Sequence, residues 1–567
     1  MRRRALAIAL CLALVIPAVL APVTAVAATW PAGTHRIALA VERLSGPDRY
    51  ATAVATARAG WPGWTGVRRV IIASGENRSF ADPLAAGSLC WAYDAPLLLV
   101  RGASVPADVR TALAQIVAAN GGVDVTVVGG TAAVSSSVVR DLRSLVGTGT
   151  VEQPWNGGDR YTTASGVALR TKQVAHDTSR TVPARAFIAN GTDAFGFVDA
   201  LSLSAVSART GIPILLTQKD RLPSSTAAAL SALPAGDVIA AGSTAAVSSG
   251  VFAAAGGTAR WGGVNRYSTS VEIAKEARLR GWLTGTTVGI AAAVPDALVG
   301  SVYAALNDGP LLYTTSPRLA PAVTGYLAML DGTIGEAAIF GGTPVVAASV
   351  ADELSGNPSV PEIVGAPAGG YVAKKVPMRI RVGINTTEVS LYLGSTLIGT
   401  KQVTSNATVD FGTVSAPSDG VAIRAVAGNP DGKRTEVSRS YRRLSYPAAT
   451  SIVIDKSDFR LYWVKGDVLL ESYPIAIGRV GMETPTRLWK INAKYHTDPK
   501  GVYGPRKMRL FRQSGSGWEY TAYGIHGTNE PWVIGTKASH GCIRLYNADI
   551  LDLFPQVPLG TLVLTRQ

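Results

Sequence analysis

The chain has 567 residues, 47% hydrophobic and 16% charged, a globular composition that excludes a disordered chain, and its length excludes a single hydrophobic core. Its net charge of +15 is unevenly placed: residues 29–365 hold 25 Lys and Arg against 24 Asp and Glu, whereas residues 366–567 hold 26 against 15. A basic C-terminal third suits an anionic wall or membrane surface, and the export signal at the N-terminus argues against nucleic acid as the partner.

Residues 1–28 read as a signal peptide. Arg2, Arg3 and Arg4 precede an apolar stretch from Ala5 to Leu20, and Ala25-Val26-Ala27 has the small-x-small pattern of a cleavage site. No later segment approaches 18 uninterrupted apolar residues, so no stable membrane span is expected after signal cleavage. Cys11 leaves with the signal. Cys90 and Cys542 remain, too few for a disulfide scaffold in a chain this long.

Three internal repeats follow, at 43–150, 151–256 and 257–358. Each opens with G-x-[DN]-R-Y-x-T, at Gly46 to Thr52, Gly157 to Thr163 and Gly263 to Thr269. A strand and then an aspartate come next. Asp82, Asp199 and Asp296 each stand 14 residues before Pro96, Pro213 and Pro310. The aspartates sit where a helix begins, as an N-cap or first-turn residue, and the prolines end those helices. The strands that follow, Leu97 to Val100, Ile214 to Thr217 and Leu311 to Thr314, are continuous apolar runs, as expected of strands covered on both faces. A third strand ends in Gly129-Gly130-Thr131, Gly242-Ser243-Thr244 or Gly341-Gly342-Thr343. Each repeat thus reads as a doubly wound, Rossmann-like α/β unit. Cys90 aligns with Ser207 and Ala304, all small, so helix packing is its reading.

These repeats resemble the cell wall binding repeat type 2 modules of Gram-positive surface proteins. The resemblance implies three modules packed about a pseudo-threefold axis, binding an anionic secondary cell wall polymer non-covalently. It ties that binding to the P-[LI]-L-L strand, matched by Pro96 to Leu99 and Pro213 to Leu216; the third copy departs at Tyr313. Since the region is nearly neutral, polymer binding must rest on local clusters. Arg49, Arg160 and Arg266 are candidates because an arginine fork suits phosphate or carboxylate. The structural alternative is that each holds repeat to repeat.

Residues 366–446 change character. Alternation in Met378 to Val382 and Glu388 to Leu393, with turn signals at Gly394-Ser395, Ser418-Asp419-Gly420 and Asn429-Pro430-Asp431-Gly432, predicts a small all-β sandwich of immunoglobulin type serving as a spacer.

The last region, 449–567, is rich in strands and holds His526-Gly527-Thr528 and Ser539-His540-Gly541-Cys542-Ile543-Arg544-Leu545. A thiolate is the nucleophile in cysteine catalysis, and a nearby imidazole activates it. Glycine before the cysteine lets backbone approach a substrate carbonyl, and the successive N–H groups of His540, Gly541 and Cys542 are candidates for an oxyanion hole. A zinc site is disfavoured: one Cys and two His at these spacings lack a fourth ligand.

Ser539 to Leu545 resembles the S-H-G-C-[IV]-R-[LM] signature of L,D-transpeptidases, and Gly478 to Thr486 is similar to that family's G-x(n)-T-P-T segment. Arg487 departs from the glycine usual there. The resemblance implies a mainly β catalytic domain with Cys542 as nucleophile, His526 as general base and the Gly527 carbonyl orienting His526. It implies that His540 shapes the pocket, Ser539 supports the loop, and Arg544 positions it or binds a peptide carboxylate. It further implies peptidoglycan stem peptides as substrate, a thioester, 3→3 cross-links, no metal or organic cofactor, inhibition by carbapenems, and location in the cell wall of a Gram-positive-type bacterium. An L,D-carboxypeptidase, attachment of protein to the wall, and a mainly structural surface protein are the alternatives.

Overall fold

The computed structural model describes residues 30–567 except 33, 156–157, 193–195, 234 and 366–369. The expected signal peptide, Gly157 and the first residues of the expected spacer lie outside the described residues.

Each repeat is a four-stranded parallel sheet between helices. The opening motif builds the entry helices Arg49–Gly60, Arg160–Asp177 and Arg266–Leu279. Asp48, Asp159 and Asn265 are their N-caps, accepting backbone N–H bonds from the first turn. The motif threonine reaches back, as the Gly46 and Gly263 N–H groups donate to the Thr52 and Thr269 hydroxyls at 3.1 Å.

The second helix of each repeat, Ala81–Tyr93, Gly196–Thr210 or Val294–Leu306, faces the other repeats. Leu84, Leu89, Cys90, Leu201, Leu203, Val206, Leu298 and Val302 share one core drawn from all three repeats. Approach is close where Gly87 meets the next repeat: a Cβ there would lie 2.9 Å from the Ser204 carbonyl oxygen. Burial pushes the Cys90 thiol far above its ordinary pKa, which leaves it a packing residue.

The sheets do not respect the boundaries drawn from sequence. Val151–Glu152, at the start of the second repeat, pairs with the sheet of the first. Gly257–Trp261, at the start of the third, pairs with the sheet of the second. Ala40–Leu44, ahead of the first repeat, pairs in parallel with Glu336–Phe340 of the third, Ala40 against Glu336. The three units therefore close into a ring, each lending its leading strand to its predecessor.

Asp82, Asp199 and Asp296 lie in the first turns of their helices and cap none of them; the cap positions 80 and 293 make no side-chain cap bond. Their carboxylates instead fill the space above Gly129, Gly242 and Gly341, whose φ angles of +113°, +86° and +103° suit glycine. Each then faces the next entry helix: Asp82 accepts from Thr163 beside Arg160, Asp199 from Thr269 beside Arg266, and Asp296 lies near Arg49. Burial raises all three pKa values, to about 6 for Asp199 and Asp296.

Two sheets pack over a common core of Met378, Ile380, Val389, Leu391, Ile423 and Tyr441 in the spacer. Buried Asn385 ties this unit to the ring, accepting from the Ile37 N–H and donating to the Glu353 and Asn357 carbonyls. Lys375 pairs with Val468, joining one spacer sheet to the sheet of the last domain. That domain is mainly β. Its strands run Val468–Pro474, Arg460–Lys465, Ser451–Asp455, Leu562–Arg566, Leu488–His496, Arg506–Ser514, Gly517–His526 and Ile543–Arg544 across the sheet, over a core containing Trp463, Trp489, Met508, Leu510 and Ile525.

Candidate active site

The strand Gly517–His526 delivers His526 to one end of the sheet. It pairs in parallel with Ile543–Arg544, His526 opposite Arg544. This register lays the Ser539 to Cys542 loop along the end of the same strand, Gly541 against Tyr523 and Cys542 against Ala522. A second segment lies across the loop: Ile477–Gly478 pairs with Lys537–Ser539, the Arg479 N–H donates to the Ser539 carbonyl at 2.9 Å, and the Thr484 hydroxyl donates to the Gly541 carbonyl at 3.0 Å.

His526 is 2% exposed. Its Nδ1 lies 2.5 Å from the Gly527 carbonyl oxygen, which can only accept, so Nδ1 carries the proton and Nε2 keeps its lone pair. Burial lowers its pKa to about 4; the Gly527 carbonyl opposes this, and the cations Lys507, Arg544 and Arg509 reinforce it. The imidazole is therefore a neutral base through the physiological range. Cys542 is part-exposed, its Sγ 3.8 Å from the Ala522 carbonyl oxygen.

Gly541 has φ of +102°, and a Cβ there would lie 2.3 Å from Tyr523 Cε1. The Ser539 hydroxyl accepts from the Gly541 N–H at 3.0 Å and donates to the Cys542 carbonyl at 2.6 Å. This corrects the expectation that three successive N–H groups face a substrate: that of Gly541 is turned into the loop by Ser539. No acceptor among the described residues bonds the His540 or Cys542 N–H. Two donors are thus left for a developing oxyanion.

The other sequence candidates are placed as follows. The exposed His540 ring turns to Arg479, whose guanidinium donates to Nε2 at 2.9 Å. Arg544, with a side chain 14% exposed, pairs with Glu530 at 2.5 Å, and its backbone N–H donates to Ala476. That favours positioning over capture of a peptide carboxylate. A Cβ at Gly527 would lie 2.3 Å from Asn547 Oδ1, the acceptor for the Thr528 N–H. Arg487 stacks over Trp489, its guanidinium carbon 5.4 Å from the ring centroid.

Sequence reasoning missed three neighbours of His526. The Tyr503 ring packs edge-on against the imidazole at 5.0 Å between centroids, the Lys507 ammonium sits 3.3 Å from the Tyr503 centroid, and Asn547 braces the following turn. Strand pairing, Lys507 opposite His526, brings the lysine there, and the turn ahead of its strand brings Tyr503.

The polymer-binding expectation for the repeats changes as well. Leu97, Leu98 and Leu99 are 3, 0 and 0% exposed. Leu97 and Leu99 enter the shared core, and Leu98 enters a second core on the opposite face. Ile214, Leu215 and Leu216 are equally buried. These strands offer no side chain to a polymer. Arg49 donates to the Gly75 carbonyl and to Asn77, and Arg160 to the Gly191 carbonyl, consistent with a structural role.

The L,D-transpeptidase catalytic domain family, YkuD, matches residues 449–564. Cell wall binding domain 2 matches 43–139, 155–252 and 260–351, together just over half of the chain. The N-acetylmuramoyl-L-alanine amidase LytC of Bacillus subtilis is 28% identical over 357 residues, 61% of this chain and 66% of that protein. The putative L,D-transpeptidase YkuD of Bacillus licheniformis is 37% identical over 117 residues, 21% of this chain and 64% of that protein. The chain thus spans less than two thirds of the length of these relatives. Among solved structures, Cwp6 from Clostridium difficile aligns with 26% identity and a TM-score of 0.48, covering 56% of this chain and 48% of that one. With its motif residues gathered at one end of a mainly β domain, and its three repeats matched in order, the chain belongs to the cell wall binding domain 2 family and carries a YkuD-type L,D-transpeptidase domain behind the repeats.

Proposed function

We propose that this protein is a secreted, wall-anchored L,D-transpeptidase that forms 3→3 peptidoglycan cross-links through a Cys542 thioester. The observation carrying the proposal is the tautomer of His526: Nδ1–H is held by the Gly527 carbonyl, which leaves Nε2 free to take the Cys542 proton. Cys542 Sγ then attacks the carbonyl carbon of the diamino acid at stem position three. The His540 and Cys542 N–H groups receive the developing oxyanion. The amine of the D-residue at position four takes the proton from His526 and leaves, and a thioester remains. A side-chain amine of a second stem attacks it, forming the new amide and freeing the thiol. Ser539 holds the loop, and Arg544 with Glu530 holds the turn after His526.

On this reading the repeats are Rossmann-like modules binding an anionic wall polymer, and residues 366–446 are an immunoglobulin-like spacer. Mass spectrometry of residues 29–567 with a disaccharide tetrapeptide, beside a Cys542→Ala control, tests the chemistry. Loss of D-alanine with a cross-linked dimer, absent in the control, is the expected result. D-alanine loss without dimer would instead assign an L,D-carboxypeptidase. No turnover and no carbapenem adduct at Cys542 would leave a structural surface protein.

A further inference from the structure

The cations around His526 are already engaged, with one exception. Arg544 is closed on Glu530, the Lys507 ammonium lies on the face of the Tyr503 ring, and Arg479 donates to His540. Part-buried Arg509 differs. Its Nη1 donates to the Thr521 and Ala522 carbonyls at 3.2 and 3.1 Å and its Nε finds no acceptor, while among the described residues its Nη2 is bonded to nothing and no carboxylate pairs with it. Strand register sets where this guanidinium stands. Lys507 pairs with His526 and Arg509 with Gly524, so the four positions face one side of the sheet. On the next strand Arg544 stands opposite His526, and Cys542, two residues earlier, takes the same side beside Gly524. Arg509, Gly524 and Cys542 thus form one row across three strands. Adjacent strands lie about 4.8 Å apart, which puts the two ends of the row about 10 Å from each other, over a residue without a side chain. A bulge tightens the row: Phe511 pairs with Tyr520, leaving 521–523 opposite Leu510 alone. The Ala522 carbonyl so displaced lies 3.1 Å from Arg509 Nη1 and 3.8 Å from Cys542 Sγ.

A guanidinium with an unused donor, sharing a carbonyl with the nucleophilic thiol, is placed to read the end of a substrate chain. The expelled residue takes its proton from His526, in the neighbouring row, and its carboxylate lies one residue, about 3.5 Å, beyond the attacked carbonyl. The length of the row fits this, since the arginine stem and one residue together fill the gap between the two backbones. A carboxylate also suits the donor, because it accepts charge-assisted bonds from a guanidinium fork, whereas a primary amide lacks the charge. We propose that Arg509 is the specificity-determining residue of the donor site, binding the terminal carboxylate of the stem so that the last D-residue alone is expelled. This inference rests on the L,D-transpeptidase reading given above.

Two donors test it, a disaccharide tetrapeptide ending in D-alanine and the same compound ending in D-alanine amide. The full chain and its Arg509→Gln and Arg509→Lys variants are assayed for release of the fourth residue. Melting curves and alkylation of Cys542 by iodoacetamide, a neutral reagent, run alongside. The expected result for the unaltered chain is a kcat/KM about ten- to a hundredfold higher on the acid than on the amide, the difference lying in KM. Arg509→Gln brings that ratio near one by losing the acid, with alkylation unchanged. Arg509→Lys, which keeps the charge without the fork, falls between. An unaltered chain that treats the two donors alike, or an Arg509→Gln chain that keeps the preference, overturns the role of Arg509 alone. Slower alkylation with the preference intact makes Arg509 a positioning residue for the thiol, and overturns it as well. Should Arg509→Gln fail to fold, the ratios of the unaltered chain and of Arg509→Lys still decide. Release of neither residue by the unaltered chain overturns the L,D-transpeptidase reading and this inference with it.

Discussion

Burial, with Lys507, Arg544 and Arg509 nearby, holds the His526 imidazole near pKa 4 against an ordinary 6.5. Its folded form binds fewer protons than the unfolded one between those values, so this group's stabilising contribution falls as pH drops through that window, by about 2 kcal/mol from pH 7 to pH 5. Base function is retained over the same range: the acid limb of carbapenem acylation at Cys542 is expected near pH 4, and a limb near 6.5 would contradict the buried environment. Gly541→Ala forces a side chain into Tyr523 at positive φ, and should lower acylation at least a hundredfold, up to ~2 kcal/mol of the cost being backbone strain. For Arg544 the geometry makes a sharper forecast. Arg544→Lys should lower kcat on tetrapeptide by about ten- to a hundredfold with KM nearly unchanged, because it loosens the clamp on Glu530; a rise in KM alone would restore the carboxylate-binding role. At this scale Ser539, Gly541 and Cys542 could be read together because they fall within four residues. The orientation of the Gly541 N–H was not, since it depends on the Ser539 rotamer. Tyr503 and Lys507 were hidden because a turn and a strand register, both remote in sequence, bring them to His526.

Among the elements, the motif that opens each repeat was read as a repeat signature, and the structure makes it the start of an entry helix. The N-caps and back-reaching threonines are local devices written within seven residues. Asp82, Asp199 and Asp296 were recognised as first-turn residues, but not the glycines they cover nor the neighbouring repeat they face, since both contacts are made across a seam. The three leading strands were not placed in any sheet for the same reason: adjacency in sequence says nothing about which edge a two- to five-residue strand will join. The helix seam is testable at Gly87. Gly87→Val places side-chain atoms against the Ser204 carbonyl, and should lower the stability of the ring by about 1–3 kcal/mol, read as a lower melting temperature, while soluble tetrapeptide turnover persists.

For the whole molecule, the ring and the catalytic domain respond to acid in opposite senses. Asp199 and Asp296 have folded pKa values raised to about 6 by burial, so between about 4 and 6 the folded ring binds more protons than the unfolded chain. Its stability rises as pH falls through that window, by about 1 kcal/mol per aspartate from pH 7 to pH 5. Calorimetry should therefore show the ring transition moving up and the catalytic transition moving down over that interval; parallel movement would contradict one of the two buried environments. The ring closure has a further consequence, for the order of events in synthesis. Ala40 is made 296 residues before its partner Glu336, a wait of about 15 to 60 s at ordinary elongation rates. The first strand of the ring to emerge is thus among the last to find its place. The first two sheets can close in turn, at Glu152 and Trp261, but the ring itself closes only when Glu336–Phe340 has been made and the waiting Ala40–Leu44 strand pairs with it.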